Sequence, residues 1–268
     1  MAPRPDREYV AFDLETTGLV AVSDRVVEIG AVRFDARGDE RARFERLVNP
    51  CRPMSPGAQA VHGISDLDLA DAPPARAILP EFLEFLGDPG ATLLLAHNAS
   101  FDAAFLGREL SRLGWASPGH AVVDTLALAR ARLPHLPTHR LDALARVLGL
   151  DPDGPHRALA DSLRVKGLWM ALGGPDVPFE DLVAYPIFDP RRPALVPFGW
   201  DGIAAAIAEG RRVRMEYQGG TRGEAPREVT PRGFVNRGGV AYLVAFCHLD
   251  ALEKTFRLDR VKRYEVVQ

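Results

Sequence analysis

The 268 residues carry 47% apolar and 26% charged side chains, ordinary proportions for a globular chain, which exclude a disordered or collagen-like polymer. A net charge of −3 excludes recognition of a polyanion by bulk charge alone, although a pocket lined with carboxylates can borrow positive charge from metal ions. Cys51 and Cys247 form neither a metal spacing nor a disulfide framework, and no run of the chain reaches transmembrane length, so a cytoplasmic protein without membrane contact is expected.

In chain order, Glu8 to Leu14 reads as a strand on the apolar run Tyr9, Val10, Ala11 and Phe12. Arg25 to Phe34 and Ala42 to Val48 read as two more, joined by a Gly38-Asp39 hairpin signal. Arg76 to Leu86 has helical spacing. Thr92 to Ala96 is continuously apolar, which suits a strand buried on both faces. Phe101 to Leu113 reads as a helix with Ser100 as its N-cap. A short strand at Ala121 to Val123 and helices at Thr125 to Ala131, Leu141 to Leu148 and Ala158 to Leu172 follow. Strands first, then strands alternating with helices, predict an α/β fold with a mixed sheet flanked by helices. Residues 173–198 are proline-rich and read as a linker that packs against a domain. From Trp200 a helix (Asp201 to Glu209) leads into strands at Arg211 to Tyr217, Arg227 to Asn236, Val240 to His248, Lys254 to Arg257 and Tyr264 to Val267. Residues 199–268 hold twelve Lys and Arg against nine Asp and Glu, a net of +3, which leaves −6 on the rest.

Three clusters carry chemistry. In Phe12-Asp13-Leu14-Glu15-Thr16-Thr17-Gly18, Asp13 and Glu15 stand two apart at a strand end and so share one face. Like charges so placed are unfavourable without a cation between them. His97-Asn98-Ala99-Ser100-Phe101-Asp102 follows the buried strand, and strand ends of open α/β sheets are where ligands bind. An Asp102 that only complements a helix dipole is the plain alternative. In His156-Arg157-Ala158-Leu159-Ala160-Asp161, five residues on one ideal helix would turn the two side chains about 140° apart. His156 is therefore expected in the loop after Pro155, with Asp161 inside the helix. Four converging carboxylates are untenable unless they bind cations. Oxygen ligands suit two Mg²⁺ or Mn²⁺ ions, a pairing used in phosphodiester hydrolysis, and a neutral histidine suits proton removal near pH 7.

The three clusters resemble the exonuclease motifs of the DnaQ-like (DEDDh) 3′–5′ exonuclease family, which includes the proofreading ε subunit of bacterial DNA polymerase III. The resemblance covers residues 7–172. It implies a ribonuclease-H-like fold, a five-stranded mixed sheet flanked by helices. It also implies metal ligation by Asp13, Glu15, Asp102 and Asp161, with His156 as general base. Thr16, Gly18, Leu19, His62 (in Val61-His62-Gly63-Ile64), His97, Asn98 and Phe101 match positions near the substrate, with Leu19 wedged against the terminal base. Asp124 and Asp142 fall in recurrent family segments, where helix capping is the favoured reading.

Residues 199–268 resemble a WYL domain through Val240 to Cys247 and Thr255 to Val261, with Ala241 in place of the name-giving tryptophan. This implies a small SH3-like β-barrel that binds nucleic acid or a nucleotide-like ligand through Arg232, Tyr242, Arg257 and Arg260. A barrel core with solvated arginines is the equal alternative. The partner expected is single-stranded nucleic acid, DNA before RNA. An exoribonuclease and an inert regulatory protein are the competing readings, and a polymerase partner is left open.

Overall fold

The computed structural model describes residues 7–150, 157–187, 199–219, 226–237 and 240–267. The chain divides into two compact units, Met1–Asp189 and Pro190–Gln268.

The first unit is built on β1 (Glu8–Thr16), β2 (Val26–Phe34), β3 (Glu40–Leu47), β4 (Thr92–Ala96), β5 (Ala121–Asp124) and β6 (Ala184–Pro186). They form one mixed sheet in the order β3-β2-β1-β4-β5-β6. The helices are α1 (Pro56–His62), α2 (Ala75–Leu86), α3 (Ser100–Arg112), α4 (Thr125–Arg132), α5 (Leu141–Leu148) and α6 (Ala158–Ala171). The α/β class and the flanking helices agree with the sequence reading. The sheet has six strands where five were expected. The sixth comes from the proline-rich stretch: Ala184–Pro186 pairs antiparallel with β5, and Ile187 is buried beside it.

Two apolar clusters fill the two faces of the sheet. Phe12, Ile29, Phe82, Leu94, Phe105 and Leu106 pack on one side, and Tyr9, Phe34, Leu95, Leu168 and Trp169 on the other. The strands alternate sides because successive side chains point to opposite faces. All five β4 residues are buried, as its unbroken Thr-Leu-Leu-Leu-Ala run requires of a strand covered on both faces.

The second unit holds α7 (Asp201–Glu209) and β7 (Arg212–Tyr217), β8 (Arg227–Arg237), β9 (Val240–Cys247), β10 (Leu252–Arg257) and β11 (Val261–Val267). They make an antiparallel sheet in the order β10-β9-β8-β7-β11. Its core is Ile203, Val213, Met215, Val229, Leu243 and Phe256. The expected closed barrel is not formed among the described residues, because β10 and β11 each pair with one neighbour only. No described helix is long and apolar enough to cross a membrane.

Candidate metal centre

Asp13 and Glu15 sit near the end of β1, opposite Gly30 and Glu28 of β2. Their shared face is covered by the first turn of α6, which brings Asp161 over them. One carboxylate oxygen from each of Asp13, Glu15 and Asp161 lies within 4.8 Å of the others. Asp102, in the first turn of α3, is 2% exposed. Its carboxyl accepts the Leu14 N–H, which ties it to the strand segment between Asp13 and Glu15.

The electrostatics are those of an uncompensated site. Burial, then the nearby Asp102, Asp161, Glu15 and Glu28 carboxylates, hold the Asp13 carboxyl far above the usual range. Burial raises Asp102 as well, against the pull of backbone N–H groups. Glu15 is pushed up to about 8, first by burial, then by Asp161 and Glu28, with Arg157 opposing. The Asp102 Oδ1 atom is buried without a hydrogen-bond partner. Such an atom in a native fold needs a partner, which a bound cation or an ordered water would supply. An all-oxygen donor set fits a hard divalent cation.

The other expected residues divide into groups. Leu19 is 72% exposed at the loop after β1. Thr16 Oγ1 donates to the Gly18 carbonyl (2.6 Å), which shapes that turn. His62 ends α1 and is buried. Its Nδ1 accepts from the Ile64 N–H (3.1 Å) and its Nε2 faces the Thr16 carbonyl (3.3 Å). His97 bonds the His139 carbonyl through Nε2 (2.8 Å) and faces Thr125 Oγ1 through Nδ1 (3.1 Å). Both imidazoles thus brace the main chain around the site. Burial lowers the pKa of each, which keeps them neutral. Asn98 takes a left-handed backbone (φ 68°) at the turn into α3, and Phe101 packs on Phe105. His156 lies outside the described residues.

Asp124 is the N-cap of α4, accepting from the Leu126 N–H (3.0 Å), and its side chain also accepts from Asn98 N–H (2.9 Å). One buried carboxylate thereby fixes both the start of α4 and the turn that launches Asp102. Ser100, expected as the cap of α3, is its first helical residue instead. Ala99 holds the cap position and makes no side-chain cap bond, while its own N–H donates to Asp124 on the neighbouring strand (3.4 Å). Asp142 sits in the first turn of α5 and pairs with Arg140 and Arg146.

Several charged residues at the site escaped the sequence reading. Glu28 is 0% exposed and binds Arg157 and the Ala158 N–H. Buried Arg164 donates to Asp161 Oδ1 (2.7 Å). Only the i,i+3 spacing of Asp161 and Arg164 was visible in the sequence; the Glu28 contacts span about 130 residues.

In the second unit Tyr242 and Arg257 lie opposite each other across β9 and β10. Arg257 is held by Asp259 (Nη2 to Oδ2, 2.6 Å), while Arg232 and Arg260 are exposed on β8 and after β10.

Comparison with known proteins adds the family. A family profile for RNase_T exonucleases matches residues 10–167, and a WYL domain profile matches residues 200–266. The chain is 43% identical over 156 residues to the DNA polymerase III subunit epsilon of Treponema pallidum, a match that spans 58% of this chain and 71% of that protein. It is 39% identical over 157 residues to the PolC-type DNA polymerase III of Bacillus cereus, which covers 59% of this chain but only 11% of that much longer protein. Among solved structures, an E. coli exonuclease I complex with single-stranded DNA, in a zinc-bound form, superposes with a TM-score of 0.56 at 18% identity, over 90% of this chain and 54% of that one. A 3′-exonuclease bound to a histone mRNA stem-loop superposes with a TM-score of 0.53 at 16% identity, over 68% and 93%. At such identities these two speak for the fold alone. The carboxylate centre, the mixed sheet that carries it and the profile match over most of the first unit together place this chain in the DnaQ-like, RNase_T family of 3′–5′ exonucleases, divalent-metal-dependent hydrolases of nucleic acid, here joined to a WYL domain.

Proposed function

We propose that this chain removes nucleotides from the 3′ end of single-stranded DNA with two Mg²⁺ or Mn²⁺ ions held by Asp13, Glu15, Asp102 and Asp161. The observation that carries the reading is the convergence of Asp13, Glu15 and Asp161 oxygens within 4.8 Å beside a buried, unpartnered Asp102 oxygen. When bound, two divalent ions lower the pKa of an attacking water and stabilise the leaving 3′ oxygen. The chain's own groups do the rest. Asp13 and Glu15 present one rigid strand face, and Asp102 and Asp161 close it from two helix first turns. Exposed Leu19, on a loop tied down by Asp24, stacks on the terminal base, with Thr16, Gly18, Asn98 and Phe101 around it. His62 and His97 support the main chain of this pocket. His156, four residues ahead of Asp161 by intervening count, takes the proton from the attacking water as a neutral imidazole. The second unit binds nucleic acid or a nucleotide-like ligand through Arg232, Tyr242, Arg257 and Arg260.

End-labelled DNA and RNA oligonucleotides incubated with the protein in Mn²⁺ test the reading. Stepwise shortening of DNA from the 3′ end is expected, and Asp13→Ala should slow it by a factor on the order of 10³ or more. Trimming of RNA alone would overturn the DNA assignment. Unchanged trimming by Asp13→Ala would overturn the metal site.

A further inference from the structure

The two residues of β2 that face Asp13 and Glu15 are Gly30 and Glu28. Both touch the start of α6. A Cβ on Gly30 would stand 2.1 Å from the Ala158 carbonyl carbon and 2.1 Å from the Leu159 nitrogen, so α6 packs its backbone directly on the strand there. Backbone atoms cannot yield as a side chain tip can. Ser162 Oγ donates to the Gly30 carbonyl (2.8 Å), one turn further along.

Glu28 secures the other end of that turn. Its Oε2 accepts the Ala158 N–H (2.9 Å), one of the donors left open at a helix start. Arg157 holds the N-cap position of α6 and makes no side-chain cap bond of its own. Its guanidinium instead grips Glu28, with Nε at 2.9 Å from Oε1 and 3.1 Å from Oε2, and Nη2 also on Oε1. The fork geometry fixes direction as well as distance. Glu28 itself is fully buried. Asp161 lies three residues beyond Ala158, so the placement of this turn sets where its carboxylate falls.

We propose that Glu28, Arg157 and Gly30 are positioning residues that register the first turn of α6 on β2 and so bring Asp161 to Asp13 and Glu15. The inference rests on the metal-site reading above. Positioning and simple charge have opposite consequences for metal binding. Arg157 is a cation near the carboxylates, so if charge alone mattered its removal would tighten divalent binding. If it positions Asp161, its removal weakens binding.

The experiment is calorimetric titration of the full chain with Mn²⁺, paired with thermal unfolding in EDTA. Arg157→Met is expected to weaken Mn²⁺ binding by about 10–100-fold, the range for losing a group that orients a ligand. Glu28→Gln is expected to weaken it similarly. Tighter or equal binding by a folded Arg157→Met overturns the positioning role while leaving the metal site standing. A wild-type chain that takes up no Mn²⁺ overturns both. Should Arg157→Met not fold, Arg157→Lys serves: it keeps the charge and loses the fork. Positioning then predicts weaker binding, and wild-type affinity in that variant overturns it.

Discussion

In the first unit the informative charges are inside. Glu28 is 0% exposed, Glu109 1% and Asp102 2%, all below the surface of a sheet packed by helices. In the second unit the pairs Arg212–Glu228, Arg257–Asp259 and Arg263–Glu216 sit at the solvent boundary, with arginine side chains 57%, 33% and 78% exposed. Burying a charge is costly, so each buried one must be answered by a partner or a ligand. Glu109 is answered twice, by Arg25 (2.7 Å) and Arg112 (3.0 Å). Glu28 is answered by Arg157. Asp13, Glu15 and Asp102 face one another instead, and this failure of internal compensation marks the site. Surface pairs carry no such signal, which is why the first unit discloses chemistry and the second discloses mainly a fold.

The largest stability effect should come from breaking a fully answered buried charge. Glu109→Ala strands Arg25 and Arg112, whose guanidinium groups also bind the Pro50 carbonyl and the carbonyls of Ala21, Val22 and Asp24. A loss of about 3 kcal/mol is expected in urea unfolding, near the lower end for a broken buried pair because both arginines retain some solvent. A loss below about 1 kcal/mol would erase the distinction between the two units.

How far the sequence discloses this architecture follows the range of each interaction. The strand at Thr92–Ala96 and the helices at Leu141–Leu148 and Asp201–Glu209 have the bounds expected from the sequence, because their signals are local: an apolar run, or spacing closed by Gly149 or Gly210 in the left-handed region. The three acidic clusters are legible for the same reason, each lying within seven residues. Helix α1 carried a local signal that went unread. Ser55 caps it, Pro56 opens it and Gly63 closes it at φ 75°, and together they place His62. Asp124 was legible as a helix cap, and it caps α4 two residues on. Glu28 and Gly30 had no such signal, because their work is done on residues about 130 positions away. Strand β6 escaped because three residues amid prolines show no period, and only pairing with β5 makes them a strand.

An intermediate effect should appear as a pH signature confined to the first unit. In the folded, metal-free protein Glu15 holds its proton up to about pH 8, whereas in the unfolded chain it gives the proton up near 4.5. Between those values the folded state binds more protons, so stability falls as pH rises. The penalty is absent below 4.5 and complete above 8. Glu15→Gln removes it. In EDTA the variant should therefore melt several degrees above wild type at pH 8.5, and the gap should close toward pH 5. With Mn²⁺ the order should reverse, since metal stabilises only a chain that retains its ligands. A gap that stays constant with pH would show that Glu15 is not strained by its neighbours.

The smallest effect belongs to the second unit. Arg263 lies opposite Glu216 across β11 and β7, and the pair is bonded at 2.6 Å. With the arginine side chain 78% exposed, the attraction is screened by water and offset by the entropy of holding a long side chain still. Arg263→Ala should leave the melting curve and the trimming rate as they are. Its neighbours on β11 keep their backbone ladder with β7, which does not depend on the side chain. A shift in stability comparable with that of Glu109→Ala would mean that surface charge does structural work in this sheet. The two units would then differ in where their charges lie but not in what those charges are for.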